Sequence, residues 1–229
     1  MAKCSCHCPI CGWEGFAWEP VESRPNHCTK KKCARCGSYP RDRVAWLLLS
    51  AYSKELSPDK LRLIEFGEGG RAYGWKKKLF HYWNVDVENS NSCVIDVPAS
   101  QMMVASWLGD CDAAIISYVL SMIEARSERV NLMRQFYNKT KKSGRLILFD
   151  DFGLRSVGHV QLAAGSFFHR LRFGRDILRE VEDAGWNPLI IEDYVDDRRL
   201  ASLEMPFVLA CKGVGSEHLS EWTKRASLM

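Results

Sequence analysis

Long apolar runs are missing from this chain: no uninterrupted stretch approaches the roughly 20 residues needed to span a bilayer, and the opening MAKCSCHCPICG has no signal-peptide hydrophobic region. The expectation is a cytoplasmic protein with no membrane partner. An excess of one charge is missing too, because 32 Lys and Arg against 28 Asp and Glu leave a formal charge of +4 and a pI near 8.5. That is too slight to require a nucleic-acid partner, which usually leaves a concentrated basic face. Cysteine is scarce over most of the chain, with only Cys93, Cys111 and Cys211 beyond residue 36, so a disulfide framework holding the whole fold is excluded. There is no convincing internal repeat and no long low-complexity tract.

What is present is concentrated at one end. Cys4, Cys6, Cys8, Cys11, Cys28, Cys33 and Cys36 crowd the first 36 residues, which argues for metal ligation. Cys8-Pro-Ile-Cys11-Gly and Cys33-Ala-Arg-Cys36-Gly are two CxxC knuckles, each followed by a glycine that lets the chain turn so that amides face the thiolates. Two knuckles about 20 residues apart are a strong zinc signal, although spacing alone leaves a redox-active or iron-binding pair as the alternative. A four-sulfur site has no open coordination position, so its metal would supply folding energy rather than Lewis-acid catalysis. Cys4 and Cys6 with His27 and Cys28 offer ligands for a second tetrahedral set, against which stands an unligated polar terminus. Lys30, Lys31 and Lys32 lie beside the second knuckle, but a short lysine run is more often a solvated loop than a phosphate contact.

With 229 residues, 46% hydrophobic and 26% charged, the chain has room for one sizeable α/β domain and a small appendage. The expected organisation is a metal-binding module at 1–40, a connecting helix at 41–57, an α/β domain at 58–212 and a C-terminal tail at 213–229. Val44, Leu47, Leu48, Ala51 and Tyr52 recur at helical spacing until Ser57-Pro58 ends the run. Beyond it, short apolar strands alternate with amphipathic helices, the pattern of a mainly parallel, Rossmann-like sheet covered on both faces. Seven strands are expected, at 61–66, 82–87, 92–97, 113–117, 145–150, 188–194 and 206–211, with helices at about 71–80, 127–141 and 174–184. The longest connection, FGLRSVGHVQLAAGSFFHRLRF at 152–173, belongs at the carboxyl edge of the sheet, where such connections commonly form substrate lids.

The first strand runs into a glycine-rich turn, Glu65-Phe-Gly67-Glu-Gly69-Gly70, that brings backbone close to a ligand. About 20 residues on, the second strand carries Asp86, placed to accept hydrogen bonds from ribose hydroxyls. Asp96 lies near the end of the third expected strand, and Cys111 to Ser117 and Tyr118 form the fourth edge. Each feature alone also suits a turn acid or a core strand. In this order they favour a nucleotide-cofactor cleft.

This combination resembles the class I S-adenosylmethionine-dependent methyltransferases over nearly the whole chain. Glu65-x-Gly67-x-Gly69 looks like their first motif, Asp86 like the ribose-binding acid and Asp96 like the acid near adenine, with Ser117 at the fourth strand end. More narrowly, CPICGWEG, RPN and CARCGSYPRDR before a Trp- and Leu-rich helix are similar to bacterial methyltransferases with an N-terminal zinc ribbon. The resemblance implies S-adenosylmethionine and zinc as cofactors, and puts Arg41 and Arg43 where they could reach the cofactor's carboxylate, with surface ion pairing the equal alternative for either. Two departures stand out: 119–123 lacks the acid and histidine frequent after the fourth strand, and Arg71 replaces a third glycine.

Methyl transfer from a sulfonium is an in-line displacement with an activated leaving group, so positioning and desolvation supply much of the acceleration. A base is needed only where the acceptor carries a proton, and the candidates are His159, His169, Asp151 and Tyr118, near the carboxyl edge or in the long connection. The leading expectation is a small-molecule acceptor methylated on oxygen or nitrogen. Methylation of RNA, DNA or protein with the ribbon as docking device, and a noncatalytic interaction protein, are the alternatives.

Overall fold

The computed structural model describes residues 6–15, 19–20, 31–56, 61–67, 81–85, 110–150, 152, 160–161, 171–192, 194–195, 202–203, 206–215 and 217–228. Among them the central sheet has six strands: β1 (Arg62–Gly67), β2 (His81–Val85), β3 (Cys111–Ser117), β4 (Thr140–Phe149), β5 (Asn187–Ile191) and β6 (Phe207–Cys211). Their spatial order is β5-β6-β4-β3-β1-β2. Seven strands were expected; the segment 92–97 lies outside the described residues, as does the helix expected at 71–80. Strands β1 to β4 run parallel, whereas β6 is antiparallel to both β4 and β5. The sheet is therefore mostly parallel, with its last strand inserted in reverse.

Consecutive apolar residues in β3, β4 and β6 follow from burial on both faces, as in parallel sheets generally. Leu63, Ala113, Ile115, Ile147, Phe149 and Leu209 meet helix α1 (Pro40–Leu56) on one face. Their neighbours Ile64, Ala114, Ile116, Leu146, Leu148 and Val208 meet α2 (Arg126–Lys139) and α3 (Ile177–Asp183) on the other. Between α2 and α3, Glu180 accepts a two-pronged pair from Arg129 at 2.8 and 2.7 Å. Two further bonds from Arg129, to the Ile123 and Glu124 carbonyls, satisfy the buried guanidinium as such a site requires.

Helix α1 starts where its sequence allows. Pro40 occupies the first helical position, where a missing N–H costs nothing, and the Asp42 carboxylate accepts the Tyr39 N–H at 2.9 Å. Val44, Leu47, Leu48, Ala51 and Tyr52 are all buried, as the helical spacing predicts. The tail forms a further helix, α4 (Glu217–Ser227), which buries Leu219, Trp222 and Ala226 in the same core as α1. Trp222 donates its indole N–H to the Leu48 carbonyl at 2.6 Å. Among the described residues, no helix is long and apolar enough to cross a membrane.

Candidate functional site

The two knuckles fold alike. Cys8 N–H donates to the Trp13 carbonyl at 2.8 Å and Gly12 N–H to the Cys8 carbonyl at 2.9 Å; Cys33 to Ser38 and Gly37 to Cys33 repeat the pattern at 2.9 and 2.8 Å. Both glycines take positive φ, +67° at Gly12 and +71° at Gly37, which closes each turn without a Cβ penalty. The result brings the Sγ atoms of Cys8, Cys11, Cys33 and Cys36 within 4.8 Å of one another. Cys8 to Cys36 and Cys11 to Cys33 are each 3.7 Å apart, far from disulfide length and close to the about 3.8 Å edge of a tetrahedron with metal–sulfur bonds of about 2.3 Å. These four residues fit a tetrathiolate metal site.

Burial raises the Cys8 thiol and pushes that of Cys11 well above the ordinary range. Burial also acts upward on Cys36, but hydrogen bonds from Ser38 and the neighbouring thiols outweigh it and hold that thiol lower. Ser38 was not picked out by sequence reasoning. Its buried hydroxyl lies 3.6 Å from Cys8 Sγ and 3.2 Å from Cys36 Sγ, and its place directly after the knuckle glycine is the signal that could have found it. For the second ligand set, Cys6 sits in a two-residue antiparallel pairing with Gly15 and is not part of the four-cysteine group. Cys4, His27 and Cys28 lie outside the described residues.

At the sheet, β1 has β2 on one side and β3 on the other, so strand order reverses between β1 and β3. Ligands of open α/β sheets bind at the carboxyl ends of the strands flanking such a point. There Gly67 pairs with Ser117 and Ser117 with Phe149, which aligns three strand ends. Gly67 has φ +106°. The space its side chain would fill is held by the Ser117 carbonyl and by Val119 Cγ2, 2.7 Å from an added Cβ, so glycine is required by the neighbouring strand itself. Glu65 and Ser117 are buried at this edge. Tyr118 follows with φ +57°, a costly conformation for a bulky residue, and donates its N–H to the Phe149 carbonyl at 2.7 Å. The Asp150 carboxylate accepts the Ser121 N–H at 3.1 Å, fixing the chain after β3 to the end of β4.

Of the remaining expected residues, Gly69, Asp86, Asp96, Asp151, His159 and His169 lie outside the described residues. The described part of β2 ends at Val85, which pairs with Phe66, one residue before Gly67. Flanking the long connection, Phe152 and Phe173 form a bridge with their rings 6.0 Å apart.

The two arginines expected together are separated. Arg43 is buried beside the knuckles, donating to the Ser38 carbonyl at 2.7 Å, where burial depresses its pKa and the charges of Cys8, Asp42, Cys33 and Cys36 oppose the shift. Arg41 faces the sheet edge, its guanidinium carbon 4.8 Å from the Tyr118 ring centroid. A spacing of two residues turns side chains to nearly opposite sides of a helix, which is why one arginine cannot follow the other.

By sequence, no protein-family model and no curated protein matches the chain. By structure, it is similar to an S-adenosylmethionine-dependent methyltransferase from Clostridium acetobutylicum, with TM-score 0.51, 11% identity, and coverage of 75% of this chain and 91% of that one. The chain shares a methyltransferase fold. It is equally similar to CalS10, an amino pentose methyltransferase from Micromonospora echinaspora involved in calicheamicin biosynthesis and solved with S-adenosylmethionine bound, at TM-score 0.51, 12% identity, and coverage of 77% and 92%.

Proposed function

We propose that this chain is an S-adenosylmethionine-dependent methyltransferase acting on oxygen or nitrogen of a small molecule, with one structural zinc held by Cys8, Cys11, Cys33 and Cys36. The observation that carries the reading is the switch point: a positive-φ glycine, Gly67, meets Ser117 where strand order reverses, in a fold similar to that of CalS10. The bound cofactor supplies a methyl group on a sulfonium. Glu65, Gly67 and Ser117 line the strand ends that receive it, Gly69 extends the turn, Asp86 accepts the ribose hydroxyls and Asp96 lies near the adenine. Zinc is assigned from the donor set, four sulfurs with tetrahedral edges, which leaves no open position for catalysis.

The chain's own task is to hold the acceptor in line and exclude water. The connection at 152–173 is assigned to cover the acceptor, and Tyr118, Asp151, His159 and His169 are the groups available to receive its proton. A small-molecule acceptor is supported by the fold neighbour CalS10, whose substrate is an amino pentose. Calorimetric titration of the zinc-loaded chain with S-adenosylhomocysteine tests the reading, followed by methyl transfer to a panel of amino sugars and small alcohols. A folded protein that does not bind the cofactor product refutes it, and salt-sensitive binding of nucleic acid with transfer to that nucleic acid alone would replace the small-molecule acceptor.

A further inference from the structure

Resting on the zinc part of that reading, we propose that Cys11 is a modification site: a hydroperoxide oxidises its thiolate first, Cys33 closes a disulfide with it, and the zinc is released. In a zinc-loaded site all four sulfurs are thiolates, so reactivity turns on access and nucleophilicity rather than on protonation. Access divides the four. The first cysteine of each knuckle is buried, Cys8 at 0% and Cys33 at 1% exposure, whereas Cys11 and Cys36 are half-buried and open to a small reagent. Ser38 then divides the accessible pair. The knuckles are near repeats, Cys8-Pro-Ile-Cys11-Gly12-Trp13 and Cys33-Ala-Arg-Cys36-Gly37-Ser38, with the same backbone bonds. Ser38 gives Cys36 two donors, its N–H and its hydroxyl at 3.2 Å. Trp13, in the equivalent place, gives Cys11 its N–H and has no hydroxyl to add. A thiolate that accepts more hydrogen bonds is the weaker nucleophile, so Cys11 is the more reactive of the two.

The chemistry closes on the chain's own sulfurs. Cys11 Sγ attacks the terminal oxygen of the hydroperoxide, the O–O bond breaks, and the alkoxide leaves and takes a proton from water. Arg35 reaches from the second knuckle to the Cys11 carbonyl at 3.4 Å, which puts a cation on this side of the site, the surroundings in which reactive cysteines are found. The sulfenic acid left on Cys11 then meets Cys33, whose Sγ is 3.7 Å away. Cys33 Sγ attacks Cys11 Sγ, an S–S bond forms and hydroxide departs. The two sulfurs lose two electrons in all and the peroxide gains them, giving one alcohol and one water. Cys8 and Cys36, the pair that Ser38 touches, are the only ligands left to the metal, and two thiolates do not make a closed four-coordinate site.

The test treats the full-length zinc-loaded protein with hydrogen peroxide while a chromophoric chelator reports released zinc, against a control without peroxide. Dimedone caps sulfenic acids as they form, and in a parallel sample alkylation of the remaining thiols and peptide mapping locate the first disulfide. Dimedone should mark Cys11, the first disulfide should join Cys11 to Cys33, and zinc release should keep pace with that disulfide. Ser38→Ala keeps the carbonyl that holds Arg43 and removes only the hydroxyl. It should speed oxidation at Cys36 by about 2- to 10-fold, the worth of one hydrogen bond. Oxidation that begins at Cys36, a first disulfide without Cys11, or a Cys36 rate indifferent to Ser38→Ala would each overturn the proposal. Zinc retained through excess peroxide removes this inference only, whereas a chain that takes up no zinc overturns the four-sulfur zinc reading and this inference with it. Should Ser38→Ala fail to hold zinc, dimedone capture on the wild type decides between Cys11 and Cys36 by itself.

Discussion

Replacing Gly67 with alanine tests the geometry of the sheet edge. Two costs add. At φ +106° an L-residue is strained by about 1–3 kcal/mol. The new Cβ would also lie inside the contact radius of the Ser117 carbonyl and 2.7 Å from Val119 Cγ2; because the carbonyl is backbone, β1 and β3 must part, an overpacking cost of about 1–3 kcal/mol. Together they give about 2–6 kcal/mol, a large share of the 5–15 kcal/mol typical of a domain. Gly213→Ala is the control within the same sheet domain: φ is +73°, but the nearest atom, Lys142 Cγ, is 3.8 Å away, so only the conformational cost of about 1–3 kcal/mol remains. Urea unfolding of both variants, with m checked for constancy, should show Gly67→Ala losing more stability by about 1–3 kcal/mol. Equal losses would mean that β1 and β3 do not approach as described and would sink the argument.

Cys36→Ser should drop zinc content well below one per chain and destabilise the ribbon and α1 before the sheet, as metal analysis and hydrogen exchange would show. Asp86→Ala should stay folded and lose about one to two orders of magnitude in S-adenosylhomocysteine affinity by calorimetry, since one good ribose contact is worth roughly 1.5–3 kcal/mol; unchanged affinity would misplace the ribose. Tyr52 is 2% exposed, and burial raises its phenol from 10.0 to about 12. Its neutral form is thus favoured in the fold, so its contribution is intact below pH 10 and is lost as pH rises towards about 12, by roughly 2–3 kcal/mol. Tyr52→Phe should flatten that slope while losing about 1 kcal/mol for the bond to the Ser143 carbonyl; an unchanged slope would exclude Tyr52 as its source.

The four-cysteine cluster was the most legible part of the sequence, because residue type, spacing and the knuckle glycines are all local. Cys8, Cys11, Cys33 and Cys36 converge as the spacing implies, and α1 buries the five residues that its period selects. The strands were legible as apolar runs, but their starts were not. Strand β4 begins at Thr140, five residues before the expected 145 and within the helix expected to run to about 141, because Lys141 to Gly144 carry no apolar residue to mark a strand. Tertiary partners hold that segment in the sheet: Lys141 pairs with Asp112 at 2.6 Å, the Ser143 N–H donates to the Lys212 carbonyl just after β6, and the Lys212 N–H donates to the Gly144 carbonyl. The sequence left the tail open between a short helix and a frayed end, because the contact that decides for helix, Trp222 with Leu48, joins residues far apart in the chain. The separation of Arg41 from Arg43 was equally hidden. It depends on which way the first turn of α1 faces, a fact fixed by Ser38 and Tyr118 rather than by either arginine.

Arg43 explains why loss of metal would spread beyond the ribbon. Four thiolates around a divalent zinc carry a net double negative charge, and the buried Arg43 guanidinium beside them offsets part of it. Without the metal, the thiols of Cys8 and Cys11 revert to the neutral form that burial favours. Arg43, 1% exposed, then keeps its charge with the thiolates' share of that compensation gone and Asp42 as a remaining counter-charge, and a buried charge that loses part of its pairing is destabilising. The cheapest relief is for the first turn of α1 to unwind and carry Arg43 to water, because that turn is tied to the module by Ser38 and begins at Pro40. Arg41 belongs to the same turn and would leave Tyr118 with it. Loss of the proposed zinc would therefore be felt beyond the four cysteines, through the first turn of α1, which carries both arginines.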